Sequence, residues 1–534
     1  MNRKTLVMPA VLGLLAPVLA ACGGSDEASG DGRPIVIGTT DAFVSTSDYP
    51  APFDPALAYE AGAWNILRNT FQTLMALPRS GGDPAPEAAE KCGFSDQKNE
   101  SYRCTLHGGM KFANGNDLTS EDVKFSVERT LSIKNPNGPV SLLANIDTVE
   151  TPSETEIVFH LKSPDATFPH KLATPAAAIV DKDSYEGTKL REGFAIDGSG
   201  PYTIKTQEKK GEVVSAVFEK NPNYQGNLKL KNDKVEMRFY SDSGPMEKAL
   251  QKGTIDLMTR TMSPEQVDRL ERGTSEKIEL KEMPGQEIRY LAFDTDDSTT
   301  GKKAVRQAIA QVVDRQALVR DVYERTAEPL YSIVPSSVGS HVNSFFNKYG
   351  EPDVTEARKT LRESGVDTPV DLKLTYTTDH YGSATAKEFK ALQAQLNRSG
   401  LFDVSIKGVP WKTFRPAQSN REYAAYGMGW FPDFPDPDNF IDPFFAKDNF
   451  LNSPYRNDTI RTQLIPQTRQ QAQRTAAAED FEKAQDIVAD DVPVLPLWQG
   501  KQYVAARDDI RGVEWALNSS SVLQLWELGR GISA

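Results

Sequence analysis

The sequence predicts an α/β protein with more than one lobe. Short alternating apolar runs interleave with stretches of helical period. Some 500 residues follow the N-terminal leader, more than one hydrophobic core usually serves. No apolar run beyond the leader approaches the roughly 20 residues of a membrane span, which excludes a polytopic transporter or channel.

The leader itself is informative. Arg3 and Lys4 precede an apolar run from Leu6 to Ala21, and Cys22 stands behind Leu19-Ala20-Ala21. A basic head, a short apolar core and small residues before a cut read as an export signal over residues 1–21. Leu-Ala-Ala-Cys resembles the lipobox of bacterial lipoproteins, in which Cys22 becomes the lipid-bearing first residue. An ordinary signal peptide that contains a cysteine is the alternative. Residues 22–32, rich in Gly, Ser and Asp, suit a flexible tether behind a lipid anchor. The expected location is the extracytoplasmic face of the cell membrane.

Charge narrows the partners. The 61 basic residues, less Arg3 and Lys4 of the leader, face 74 acidic ones, a balance of about −15. Such a surface argues against binding a phosphate backbone, so no nucleic acid is expected. With Cys22 assigned to lipid, Cys92 and Cys104 are the remaining cysteines and form a candidate disulfide on an exported chain. Two free thiols are the alternative, and a zinc site lacks further ligands nearby.

Taken in order, strands are predicted at Pro34–Thr39, Tyr102–Leu106, Glu156–Leu161, Tyr202–Lys205, Val213–Glu219, Val235–Tyr240, Leu372–Tyr376, Val404–Lys407 and Ala424–Trp430. Thr119, followed by Glu121 and Asp122, reads as a cap for a helix whose Val123, Val127 and Leu131 share one face. A second helix places Val305, Ala308, Ile309 and Val312 together. A third is predicted from about Arg469 to Asp490, with Ala472, Ala476, Ala484, Ile487 and Val488 on its apolar side. Turn-rich joints at Asp197–Pro201 and Pro284–Glu287 are places for the chain to pass between lobes.

Catalytic signatures are missing. There is no His-Glu-x-x-His, Gly-x-Ser-x-Gly or Gly-x-x-x-x-Gly-Lys, and the five histidines lack metal-ligand spacing. Ser199 lies between glycines, but Pro201 and Tyr202 make that stretch a turn into a strand. The densest unusual segment is Gly427 to Phe440. It begins as a strand, in which Gly427 and Gly429 suggest an edge open to an extended ligand, and then breaks into a proline-punctuated loop. Trp430 offers an aromatic face and Asp433 a carboxylate for a ligand ammonium. The rival reading makes Trp430 a core residue and Asp436 and Asp438 turn formers or a helix cap.

Five blocks in order carry a resemblance: Tyr102 to Gly115 with Leu118 to Ser126, Gly198 to Tyr202, Asn221-Pro222-Asn223-Tyr224, Val305 to Ile309, and Asp314-Arg315. From about Pro34 to near its end the chain resembles the extracellular solute-binding proteins, family 5, that feed ABC importers of dipeptides, oligopeptides and nickel. The resemblance implies two α/β lobes of the periplasmic-binding-protein fold, a hinge, and a domain inserted into the first lobe. Applied here, lobe I takes residues 33–56, 199–286 and 505–534, the inserted domain 57–198, and lobe II 287–504.

The resemblance also implies site residues. Asp433 would hold the α-amino group of a peptide, Trp430 and Trp411 would line the pocket, and Met428 and Gly429 would supply backbone partners. Glu60 and Ala61 would touch ligand from the other side. Dipeptide binders hold the ligand carboxylate with an arginine in a second-lobe strand, and the matching stretch Leu372 to Thr378 has none. A longer or differently anchored peptide is therefore expected. The implied protein is a monomeric, lipid-anchored binding protein that delivers peptides to an ABC permease and its ATPase subunits, is no enzyme, and needs no cofactor or metal. Alternatives are a receptor for a nickel chelate, opine or oligosaccharide, an exported hydrolase whose residues converge only in three dimensions, and a signalling or chaperone role.

Overall fold

The computed structural model describes residues 33–79, 82–273, 277–518 and 520–531. The export signal, Cys22 and the tether to residue 32 lie outside the described residues. Among those residues, no helix is long and apolar enough to cross a membrane.

Two large sheets form two α/β lobes. The first has seven strands in the order Ile278–Met283, Gln502–Arg507, Leu257–Thr259, Ile35–Thr39, Lys234–Phe239, Glu212–Lys220 and Tyr202–Lys209. It draws on the beginning, the middle and the end of the chain. The second has six strands in the order Ala327–Pro329, Val494–Gly500, Ile288–Phe293, Ala425–Trp430, Val370–Thr377 and Phe402–Val409. A third, antiparallel sheet of four strands, Ala89–Phe94, Ser101–Leu106, Glu156–Leu161 and Ile146–Glu150, is separate from both and comes from the stretch of chain between Ile35–Thr39 and Tyr202–Lys209, called here the inserted unit.

All nine predicted strands are present; the alternating burial of strands such as Ser101–Leu106 and Phe402–Val409 reflects one face packed on a core. The capped helix runs Ser120–Ile133, with the Thr119 amide and hydroxyl both donating to Asp122 Oδ2 at 2.9 Å. The predicted helix 469–490 is instead broken. Ile465–Gln470 and Ala478–Asp491 flank an extended Gln471 and a short 3-10 turn, and Ala472 and Ala476 are exposed. Arg474 explains the break, since its guanidinium turns back to Gln471 O at 3.2 Å and pairs with Asp436 at 2.7 Å. Cys92 and Cys104 face each other across neighbouring strands and are joined as a disulfide. Gly198 and Gly200 press on the backbone of Thr70, and Ser199 is fully buried, so this turn serves packing.

The lobes are joined by two adjacent crossings. Met283 ends a strand of the first sheet and Ile288 begins one of the second. The return runs from Gly500 to Gln502, and Gln502 to Val504 pair with Met283 to Lys281 in the first sheet. Gly500 N–H donates to Glu287 O at 2.9 Å. A Cβ on Gly285 would meet Gly500 O at 2.3 Å, so a side chain there would push the crossings apart.

Candidate functional site

Between the lobes lies a cavity of about 560 Å³, within the ~300–1,000 Å³ typical of ligand sites. A narrower extension of about 160 Å³ reaches toward the crossings. The two share Arg260, Thr261, His380, Tyr381 and Phe431 in their walls.

The floor on the second lobe is the strand Ala425–Trp430. Over Gly427 to Trp430 it has an open edge, where the sequence suggested one. It pairs with Ile288–Phe293 along its whole length, and with Val370–Thr377 only at Ala425 and Tyr426. Its glycines also make room for neighbouring side chains. A Cβ on Gly427 would meet Phe389 at 2.3 Å, and one on Gly429 would meet the Arg289 guanidinium at 1.8 Å. From Gly427 to Trp430 the side facing away from Ile288–Phe293 carries no described strand, and Tyr381 bonds the backbone of Gly429 there. Met428 and Gly429 both line the cavity.

The strand then breaks into the loop that carries Asp433. This residue is 8% exposed, and its amide donates to Asn439 Oδ1 at 2.8 Å. Tyr59 Oη and Asn439 Nδ2 both donate to Asp433 Oδ2, at 3.1 and 2.9 Å. Among the described residues no hydrogen bond reaches Oδ1 and no cation forms an ion pair with this carboxylate. Burial pushes its pKa up to about 6, against the two donors and the charge of Lys171. A buried carboxylate with neutral partners is a ready acceptor for a ligand ammonium.

Trp430 is both wall and packing. It lines the cavity, rests on Phe444 and Phe450 with centroids 5.7 and 5.4 Å away, and donates to Asn439 Oδ1 at 3.3 Å. Trp411 also lines the cavity, but its faces are taken. His380 stacks on it at 3.8 Å and Phe414 at 5.9 Å, so it presents an edge to the cavity. That edge bonds Glu60 across the cleft. Glu60 lines the cavity. Burial and the charge of Asp41 raise its carboxyl, while Trp411, Arg260 and Arg415 oppose the rise. Ala61 follows as the first residue of the helix Ala61–Thr70 and also faces the cavity.

Sequence reasoning missed a cationic corner where the cavity meets its extension. Arg260 comes from the first lobe and Arg289 from the second. Their guanidiniums lie 5.4 and 5.5 Å from the Phe431 ring. Arg260 pairs with Asp41 at 3.2 Å, and Arg289 pairs with Glu287 and stacks on Tyr381 at 3.9 Å. Beside them His380 is held down to about 3 by burial and by the charges of Arg289 and Arg260. Arg260 and Thr261 adopt left-handed backbone, with φ of 72° and 45°, a conformation costly for side-chain-bearing residues and concentrated at binding sites. One signal was available in the sequence: Arg289 is the sole charge in Ile288-Arg289-Tyr290-Leu291-Ala292-Phe293, every residue of which is buried. Among the described residues no cluster of His, Cys, Asp and Glu is placed to hold a metal.

Comparison with known proteins agrees with this architecture. The sequence model of the bacterial extracellular solute-binding proteins, family 5, matches residues 83–452. The oligopeptide-binding protein OppA of Bacillus subtilis is 24% identical over 525 residues, covering 93% of this chain and 94% of that one. The probable D,D-dipeptide-binding periplasmic protein DdpA of Escherichia coli is 26% identical, covering 87% and 89%. The solved DppA of Helicobacter pylori, in complex with the peptide STSA, superposes with a TM-score of 0.79 at 21% identity, covering 94% and 98%.

Proposed function

Because the chain belongs to the bacterial extracellular solute-binding proteins of family 5, we propose that it captures peptides in the interlobe cavity and delivers them to an ABC permease. The observation that carries this reading is Asp433, a buried carboxylate without a cationic partner among the described residues, set beside Trp430 in an aromatic cavity. A free peptide amino group satisfies it. The ligand main chain then runs along Met428 and Gly429, with Glu60, Ala61 and the edge of Trp411 on the facing wall. Its carboxylate end points to the corner of Arg260, Arg289 and His380, which supplies the anchor that Leu372 to Thr378 lacks. The lipobox cysteine, Cys22, tethers the protein to the membrane, with residues 22–32 as leash. The domain boundaries implied by the sequence form part of the same proposal.

Native mass spectrometry of freshly purified protein tests the ligand class. Retained intact peptides with free amino termini are the expected result. A retained metal chelate, opine or sugar would replace the peptide assignment, and cleaved products from an added peptide mixture would point to a hydrolase. Metabolic labelling with palmitate checks the anchor: label in the parent and none in Cys22→Ala is expected.

A further inference from the structure

We propose that Phe434 is the latch through which occupancy at Asp433 is coupled to closure of the lobes. This goes beyond the peptide reading and requires only that the two lobes open and close.

The apolar cores of the molecule divide cleanly by lobe, with one exception. The core of the first lobe and inserted unit is built from residues before 284 and after 503, and Phe434 is its sole described member from the second lobe. Its side chain is 1% exposed. It lies 5.5 Å, centroid to centroid, from His170, and borders a small polar cavity with Ser141, Leu142 and Lys171 of the inserted unit. Opening the cleft would withdraw this ring into water.

The loop holding Phe434 is rigid with respect to its own lobe. The Asp433 amide is fixed by Asn439 at 2.8 Å, Arg474 grips both oxygens of Asp436 at 2.7 and 2.9 Å, and Arg469 grips those of Asp438 at 3.0 and 2.9 Å. A loop so held cannot move Asp433 without moving Phe434. Besides Tyr59 Oη to Asp433 Oδ2 at 3.1 Å, the same seam carries Ala166 N–H to Arg469 O at 2.8 Å and Asn99 Nδ2 to Gln470 O at 2.9 Å from the inserted unit. One side of the loop faces the cavity, and the next residue plugs the opposite domain.

The Ala166 amide reports the seam directly, because its acceptor lies on the other lobe. In Phe434→Ala, hydrogen–deuterium exchange at Ala166 is expected to accelerate by about tenfold or more, and Phe434→Leu should recover most of the protection. Amides of the strand Tyr202–Lys209 should be unaffected. Calorimetry with tetra-alanine and its N-acetylated form supplies the second readout. Phe434→Ala is expected to weaken both by the same factor, on the order of tenfold, whereas Asp433→Ala weakens only the free peptide. Unchanged exchange at Ala166 with and without peptide overturns the latch. So does weakening confined to the free peptide. If tetra-alanine binds no form of the protein, the peptide reading fails and Ala166 exchange still decides the latch.

Discussion

Asp433 and Arg289 stand at different ends of one cleft, and the fold treats their charges differently. Asp433 is buried among neutral donors, Tyr59 and Asn439. Arg289 is equally buried but has Glu287 as a partner and Tyr381 beneath it, and Arg260 beside it has Asp41. The negative end therefore holds an unfavourable charge that a ligand ammonium would relieve, while the positive corner is satisfied before any ligand arrives. On this reading the amino end dominates affinity, and the carboxylate end sets orientation.

The largest effect should come from emptying the negative end. Asp433→Ala is expected to cost peptides with a free amino terminus ~3–5 kcal/mol, because it leaves their ammonium buried without a partner, and to leave acetylated peptides nearly unchanged. Titration calorimetry on matched pairs checks this, and equal affinities for the parent and the variant would remove Asp433 from the site. At the other end, Arg289→Met should weaken peptides with a free carboxylate by about 1.5–3 kcal/mol relative to their amides. An equal loss for both forms would make Arg289 a purely structural residue.

The same contrast has a signature without ligand. The Asp433 carboxyl lies near 6 in the folded protein, above the ~3.9 of an unfolded chain. The folded state thus binds the extra proton between these values. Asp433 lowers stability above pH 6, by about 3 kcal/mol, and this penalty fades as pH falls toward 4. Ligand-free Asp433→Asn should accordingly melt higher than the parent at pH 7 and alike at pH 4; a lower melting point at pH 7 would contradict the charge assignment. Affinity of the parent for peptides should decline as pH drops below about 6, as the carboxylate takes up its proton. The smallest change is expected from Trp411→Phe. It keeps an aromatic ring between His380 and Phe414 but removes the donor to Glu60, a loss of about 1 kcal/mol. The Glu60 carboxyl should then titrate higher by NMR, and an unmoved titration would separate the two residues.

Much of the architecture was legible because it is local. The nine strands, the cap at Thr119 and the facing of Cys92 and Cys104 follow from alternation, side-chain reach and short separation. The failures were not local. The helix expected from 469 to 490 breaks because Arg474 turns to Asp436, a partner on a distant loop. Gly427 and Gly429 do lie on an open strand edge, but no local pattern showed that Phe389 and Arg289 occupy the space their side chains would fill. Asp433 and Trp430 stood out through their unusual composition, and both line the cavity. His380 and Arg260 carried no such mark in the sequence.

By itself the sequence determined the α/β class, nine of its strands and the family, since periodicity, capping and motif order are properties of neighbouring residues. Only the tertiary structure decided which charges meet across the cleft, which pairs are already satisfied, and which aromatic side chain crosses from one lobe into the other. Those outcomes depend on burial and on separations through space between residues hundreds of positions apart, such as Tyr59 and Asp433, and no local pattern encodes them.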